Sequence, residues 1–199
     1  VKPTKSLNIL YDHRDRFSKF VVDLTSEIDI FKDRVELEKT TISNRSKKAF
    51  TLNGISDATR HLFGITKTRK LTRDEQEIAR EFWQLIGKYI PEWNLLVEGK
   101  ISSADLRKEF VHGNTNSLNA LGIVGRVLIR EYPEEWKEKI KGLRNVDWSR
   151  TNSEWEGRLL LNGRMLKNAV GVELAANTIL QRCGIELPED RLKHESKNG

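Results

Sequence analysis

Apolar residues recur along most of the chain at helical spacing. Between Asp15 and Ile28 the positions Phe17, Phe20, Val21, Leu24 and Ile28 fall at i, i+3, i+4, i+7 and i+11, which is one face of a helix. Val35 and Leu37 then alternate with Glu36 and Glu38, the only strand signal, so at most a short strand or hairpin is expected near residues 34–42. A second helix is expected over about Thr51 to Phe63, with Leu52, Ile55, Leu62 and Phe63 inward and Gly64 as its stop. The third opens at Thr72, which forms a capping box with Glu75, and Asp74 complements the positive helix end. Ile78, Phe82, Leu85, Ile86 and Tyr89 keep the period until Pro91.

Beyond Pro91 the elements shorten. Glu92 to Val97 reads as a helix ended by Gly99, and Ser102 or Ser103 caps another that runs through Val111. His112 to Asn116 reads as a turn. Ser117 to Glu131 carries Leu118, Leu121, Val124, Val127 and Leu128, with Gly122 and Gly125 either admitting close helix approach or weakening the helix. Pro133 opens a segment from Glu134 to Leu143, and a polar stretch containing Trp148 and Trp155 leads to a last helix around Val172 to Cys183, stopped by Gly184. Residues 1–188 are therefore expected to form one mainly α, multi-helix globular domain, with 189–199 a polar, disordered tail.

Composition narrows the function classes. The longest apolar runs are short, as at Leu159 to Leu161, far below the roughly 20 residues of a spanning helix, and the N-terminus lacks a secretory apolar stretch. A cytoplasmic protein with no membrane partner is expected. Cys183 is the single cysteine among 199 residues, which excludes an internal disulfide and a multi-cysteine zinc site.

Charge adds more. The net charge is +6, and it is localised: Arg45, Lys47, Lys48, Arg60, Lys67, Arg69, Lys70 and Arg73 stand against the lone Asp57 in a window of +7, leaving the rest of the chain at −1. Two clusters within this 44–73 window, 44–48 and 67–73, flank the helix expected from Thr51, and Ser46, Thr68 and Thr72 add neutral donors for phosphate oxygens. This pattern suits a DNA backbone; a merely solvated surface is the competing explanation.

Candidate chemistry is thin. The helices expected at 103–111 and 117–131 have the outline of a helix-turn-helix, with Asn116, Asn119, Arg126 and Arg130 outward. There is no nucleophile elbow, phosphate-binding glycine loop or His-Glu-x-x-His. Asp12-His13-Arg14-Asp15 groups acid, imidazole and guanidinium and could hold a metal or phosphate, but an Asp cap with helix-opening charges explains it as well. His61, His112 and His194 have no ligand-set spacing, and Trp83, Trp93, Trp136, Trp148 and Trp155 read as core or anchors. No catalytic residue, metal ligand or cofactor is assigned.

The order of local words is distinctive. SLNILYDHRDRFSKF, FKDRVELEKTTISNRSKKAFTL, IPEW, SLNALGIVGRVLI and VDWSRTNSEWEGR follow one another over about Ser6 to Leu187. Together they resemble the C-terminal half of members of the DndB family of DNA sulfur modification proteins. The Asp-Gly-Gln-His-Arg motif of that family's N-terminal half is missing, so the chain looks like a C-terminal fragment or separated domain. The resemblance implies a place in a phosphorothioate DNA modification locus and a role as a DNA-binding negative regulator, bound to promoter duplex and associated with the nucleoid. Other modification proteins and a second copy of the chain are further possible partners. Two alternatives stay open: a metal-dependent nuclease-like component using Asp12, His13 and Asp15, and a protein-interaction module.

Overall fold

Two parallel helices that meet across glycine form the centre of the molecule. A computed structural model describes residues 2–12, 15–66 and 69–198. In it α3 (Leu52–Phe63) and α7 (Thr115–Glu131) make the most extensive helix contact. Gly54 faces Thr115 and Leu118, Gly122 faces Ala58 and His61, and Gly125 faces Leu62 and Phe82, so residue numbers rise together along both helices. A β-carbon on Gly122 would lie 2.3 Å from the Ala58 carbonyl oxygen. The glycines thus serve close approach, as one of the two sequence alternatives has it. The second-largest contact packs α9 (Ala169–Arg182) on α7, so α7 is buried on most of its circumference.

The other helices enclose this centre: α1 (Lys5–Tyr11), α2 (Arg16–Glu27), α4 (Arg73–Tyr89), α5 (Pro91–Val97), α6 (Ser103–Glu109) and the single turn α8 (Trp136–Lys139). Their ends follow local chemistry. Asp15 accepts from the amides of Phe17 and Ser18, Thr72 and Glu75 form the expected capping box, Gly64 ends α3 in the left-handed conformation, and Ser102 caps α6. Edge-to-face and stacked rings run from Phe31 and Phe50 through Trp93 and His112 to Trp148 and Trp155, all buried.

The mainly α class holds, with local corrections. The strand near residue 35 is β1 (Val35–Glu36), but it pairs in parallel with the distant β2 (Phe50–Thr51) rather than within a hairpin. The hairpin lies elsewhere, β3 (Leu160–Leu161) with β4 (Arg164–Met165), turned by Asn162 and Gly163, both at positive φ. α1, capped by Thr4, was not expected. The segment expected to be a disordered tail is helical as α10 (Glu189–Asn198): Arg158 grips Glu195 in a two-pronged ion pair at 2.9 and 2.7 Å and Asn177 donates to the same carboxylate.

Substitution tests the central contact. Gly122→Ala gains about 1 kcal/mol of helix propensity but drives a methyl into an immovable backbone oxygen, so unfolding free energy should fall by about 1–3 kcal/mol in urea titration. In Gly87→Ala on α4 the new methyl meets only Ile30 side-chain atoms at 3.3 and 3.5 Å, and that variant should be neutral or more stable.

Candidate nucleic-acid interface

The two basic clusters end up at opposite ends of α3, a helix of 12 residues and so about 18 Å long. The first lies on the loop leading into β2. Residues 43–48 wrap around the guanidinium of Arg107 from α6, whose Nη2 donates to the carbonyls of Ser43 (2.9 Å), Asn44 (3.1 Å) and Ser46 (3.1 Å) while Nη1 donates to that of Lys48. Burial lowers the Arg107 pKa, yet a guanidinium stays charged at any physiological pH. With its carbonyls drawn inward, the loop leaves Arg45 and Lys47 exposed, and neither has a hydrogen-bond or ion-pair partner among the described residues. Lys48 instead donates to the Asp33 carbonyl at 3.0 Å.

The second cluster is engaged only in part. Arg69 pairs with Glu75 at 2.6 Å, and Arg73 lies 3.6 Å from Glu77 but is 92% exposed. Lys70 is exposed, and Lys67 lies outside the described residues. Arg60, in the last turn of α3, is half-buried: it lies 3.9 Å over the Phe17 ring and donates to the Thr66 carbonyl. Burial pushes its pKa down, with Asp15 and Asp57 opposing. The helix-turn-helix outline fails on burial, since α7 is the central helix. Asn116 donates to the Leu166 carbonyl, and Arg126 covers Gly64.

Other cations, unmarked in the sequence, surround the clamped loop. Arg107, Lys108 and Arg150 line one hollow with Asn44 and Asp105. Arg150 donates to the Arg107 carbonyl and to Gly163 at the hairpin turn, and so ties that turn to α6. Arg164 and Lys167 are exposed along the hairpin and its exit. Asn162-Gly163 is a hairpin signal the sequence does carry; nothing in it foretells the Arg107 clamp, which joins residues about 60 positions apart.

Asp12 and Asp15 do the capping work that the competing explanation assigns them. Asp15 accepts from Phe17 N, Ser18 N and Ser18 Oγ, and Asp12 Oδ1 accepts from Asp15 N at 3.2 Å. His13 and Arg14 lie outside the described residues. Among the described residues no group of three or more His, Cys, Asp or Glu is placed to hold a metal ion, and no helix is long and apolar enough to cross a membrane. Burial pushes the Cys183 thiol up to about 12, which leaves it protonated.

The loop clamped by Arg107 and the buried Trp148–Trp155 stack are the words Asn44-Arg45-Ser46-Lys47-Lys48 and Asp147-Trp148-Ser149-Arg150 in three dimensions. The family model described as DndB, DNA-sulfur modification-associated, matches residues 1–186. The chain belongs to the DndB family. Neither a curated protein nor a solved structure is matched. Membership links this chain to DNA sulfur modification systems.

In this DndB-family chain the tryptophans are structural. Trp148 and Trp155 are 1% and 0% exposed, stacked at 5.6 Å, and Trp155 Nε1 donates to the Asp147 carbonyl at 2.8 Å. Beside them, wholly buried His112 accepts from Trp93 Nε1 at Nδ1 (3.1 Å), which fixes its proton on Nε2, facing Glu92 at 3.1 Å. Burial drives the His112 pKa down, only partly countered by Glu92. For Glu92, burial works to raise the pKa, but the hydrogen bond from His112 holds it below the usual range.

A histidine with a depressed folded pKa binds its proton first in the unfolded chain. Stability is then full above about pH 6.5 and falls on acidification, by up to about 1.4 kcal/mol per pH unit for one proton. His61, also depressed by burial and by Arg126, adds a slope of the same sign. His112→Gln keeps an acceptor for Trp93 and a donor for Glu92 without titrating. Urea unfolding between pH 7.5 and 5.5 should show a shallower pH dependence for this variant; an unchanged slope would remove His112 from the linkage.

Proposed function

We propose that this DndB-family chain binds duplex DNA without cutting it and acts as a negative regulator in a DNA sulfur modification system. The observation that carries the reading is the Arg107 clamp, which shapes a basic loop so that Arg45 and Lys47 stand free at the surface. Free cations neutralise backbone phosphates and release counterions, so affinity arises largely without base reading. Cover of promoter DNA by such a protein restrains transcription from it and keeps the protein at the nucleoid. Arg69 and Arg73, with acidic neighbours, contribute less per residue, and the buried α7 is not the reading element.

The test is a salt series with promoter and scrambled duplexes. The double variant Arg45→Ala, Lys47→Ala should weaken both duplexes alike and reduce the slope of log affinity against log salt by about 1–2, one phosphate contact per residue. Arg69→Ala with Arg73→Ala should change the slope less. A slope that only the second pair alters would move the interface to the far end of α3, and duplex cleavage with Mg²⁺ would favour the nuclease reading instead.

A further inference from the structure

A cleft of about 630 Å³ opens beside the clamped loop, and three helices begin at its walls. Thr51, the N-cap of α3, Asn114 and Thr115 at the start of α7, and Asn168 and Ala169 at the start of α9 all line it. The helices have 12, 17 and 14 residues, so each carries a developed macrodipole, about half a positive charge at its N-terminus. Parallel dipoles side by side repel, and an anion at their shared positive end relieves that repulsion. The caps use only part of the donor set. Asn114 takes the amide of Asn116 and Asn168 that of Gly171, while the amides of Thr115 and Ala169 have no hydrogen-bond acceptor among the described residues.

Three further observations point to a ligand there. Lys167 stands exposed on the cleft wall without a hydrogen-bond or ion-pair partner among the described residues, and Arg107, its Nη atoms held by the loop carbonyls, also lines the cleft and adds positive charge. The one lining carboxylate, Glu173, lies 3.3 Å from Arg191, which offsets its charge. Asn119 also lines the cleft, and its Oδ1 is a buried acceptor with no hydrogen-bond partner, a place that suits a donor on a base or sugar and not a phosphate. Ile42, Phe50, Leu118, Ile123 and Val172 give the wall an apolar part, beside Thr40, Thr41, His61 and Asn116. A cavity in the range of about 300–1,000 Å³ with an apolar wall and a few convergent polar groups is the usual form of a small-ligand site.

We propose that this cleft binds an organic phosphate of nucleotide size, its phosphate at the starts of α7 and α9 beside Lys167 and its base and sugar against the apolar wall. The same chemistry is offered by a free nucleotide and by the 5′-phosphorylated end of a DNA strand. The site is separate from the cations of the 43–48 loop and does not rest on duplex binding there.

Calorimetric titration of the full chain tests this with four probes: 2′-deoxyadenosine 5′-monophosphate, 2′-deoxyadenosine, and a short oligothymidylate with and without a 5′-phosphate. The phosphate-bearing member of at least one pair should bind, its unphosphorylated counterpart should bind at least about tenfold more weakly, and the pair that responds identifies the source of the phosphate. Ala169→Glu puts a carboxylate in the first turn of α9, where it favours the helix dipole while occupying the phosphate position. That variant should lose binding with its unfolding midpoint held or raised, and Lys167→Glu should lose it as well. Arg45→Ala with Lys47→Ala should bind the probes normally, which separates this site from the duplex-binding reading. Wild-type chain that binds neither phosphate-bearing probe, that binds the unphosphorylated members equally well, or whose binding survives Ala169→Glu would overturn the proposal.

Discussion

The parallel contact of α3 with α7 is the constraint from which the rest of the arrangement follows. Only glycine at 122 lets α7 reach the Ala58 carbonyl, and this approach aligns the two helices with both N-termini at the same end. Closeness stabilises through packing, since interiors gain from dense contact between many atom pairs. It also concentrates two positive helix ends, and α9 brings a third to the same cleft. The contact further determines what α7 cannot do. A helix covered by α3 on one side and α9 on the other keeps too little free surface to lie in a DNA groove.

Around this centre, arginines organise chain that has little regular structure of its own. Arg107 gathers four carbonyls of the 43–48 loop, Arg150 ties α6 to the hairpin turn, and Arg158 docks α10 through Glu195. A guanidinium suits these places because its five donors are fixed in a plane and remain charged. Arg45 and Lys47 lack such duties, and this separates them from Arg60, Lys48 and Arg69, which are equally basic by count.

Much of the helical frame was legible because its signals are local. The Thr72–Glu75 capping box, Gly64 at positive φ, Pro91 at the start of α5 and the apolar faces of α2 and α4 act within a turn or two of chain. The misses share the opposite property. α10 is strongly polar and helical where it meets Arg158 and Asn177, and β1 finds its partner 15 residues away at Phe50. For the interface, the location of positive charge was visible and its availability was not. Whether Arg60 is a phosphate contact or a lid on Phe17 depends on tertiary packing, and so does the clamp that presents Arg45.

The claim that matters most for function is that DNA meets this molecule at the clamped loop and not along the central helix. Hydrogen–deuterium exchange of the full chain with and without promoter duplex addresses it directly. Slowed exchange of amides at residues 43–48 and of the neighbouring start of α6, with α7 unchanged, is the expected footprint. Slowed exchange confined to residues 69–73, or spread along the outward positions of α7, would contradict it.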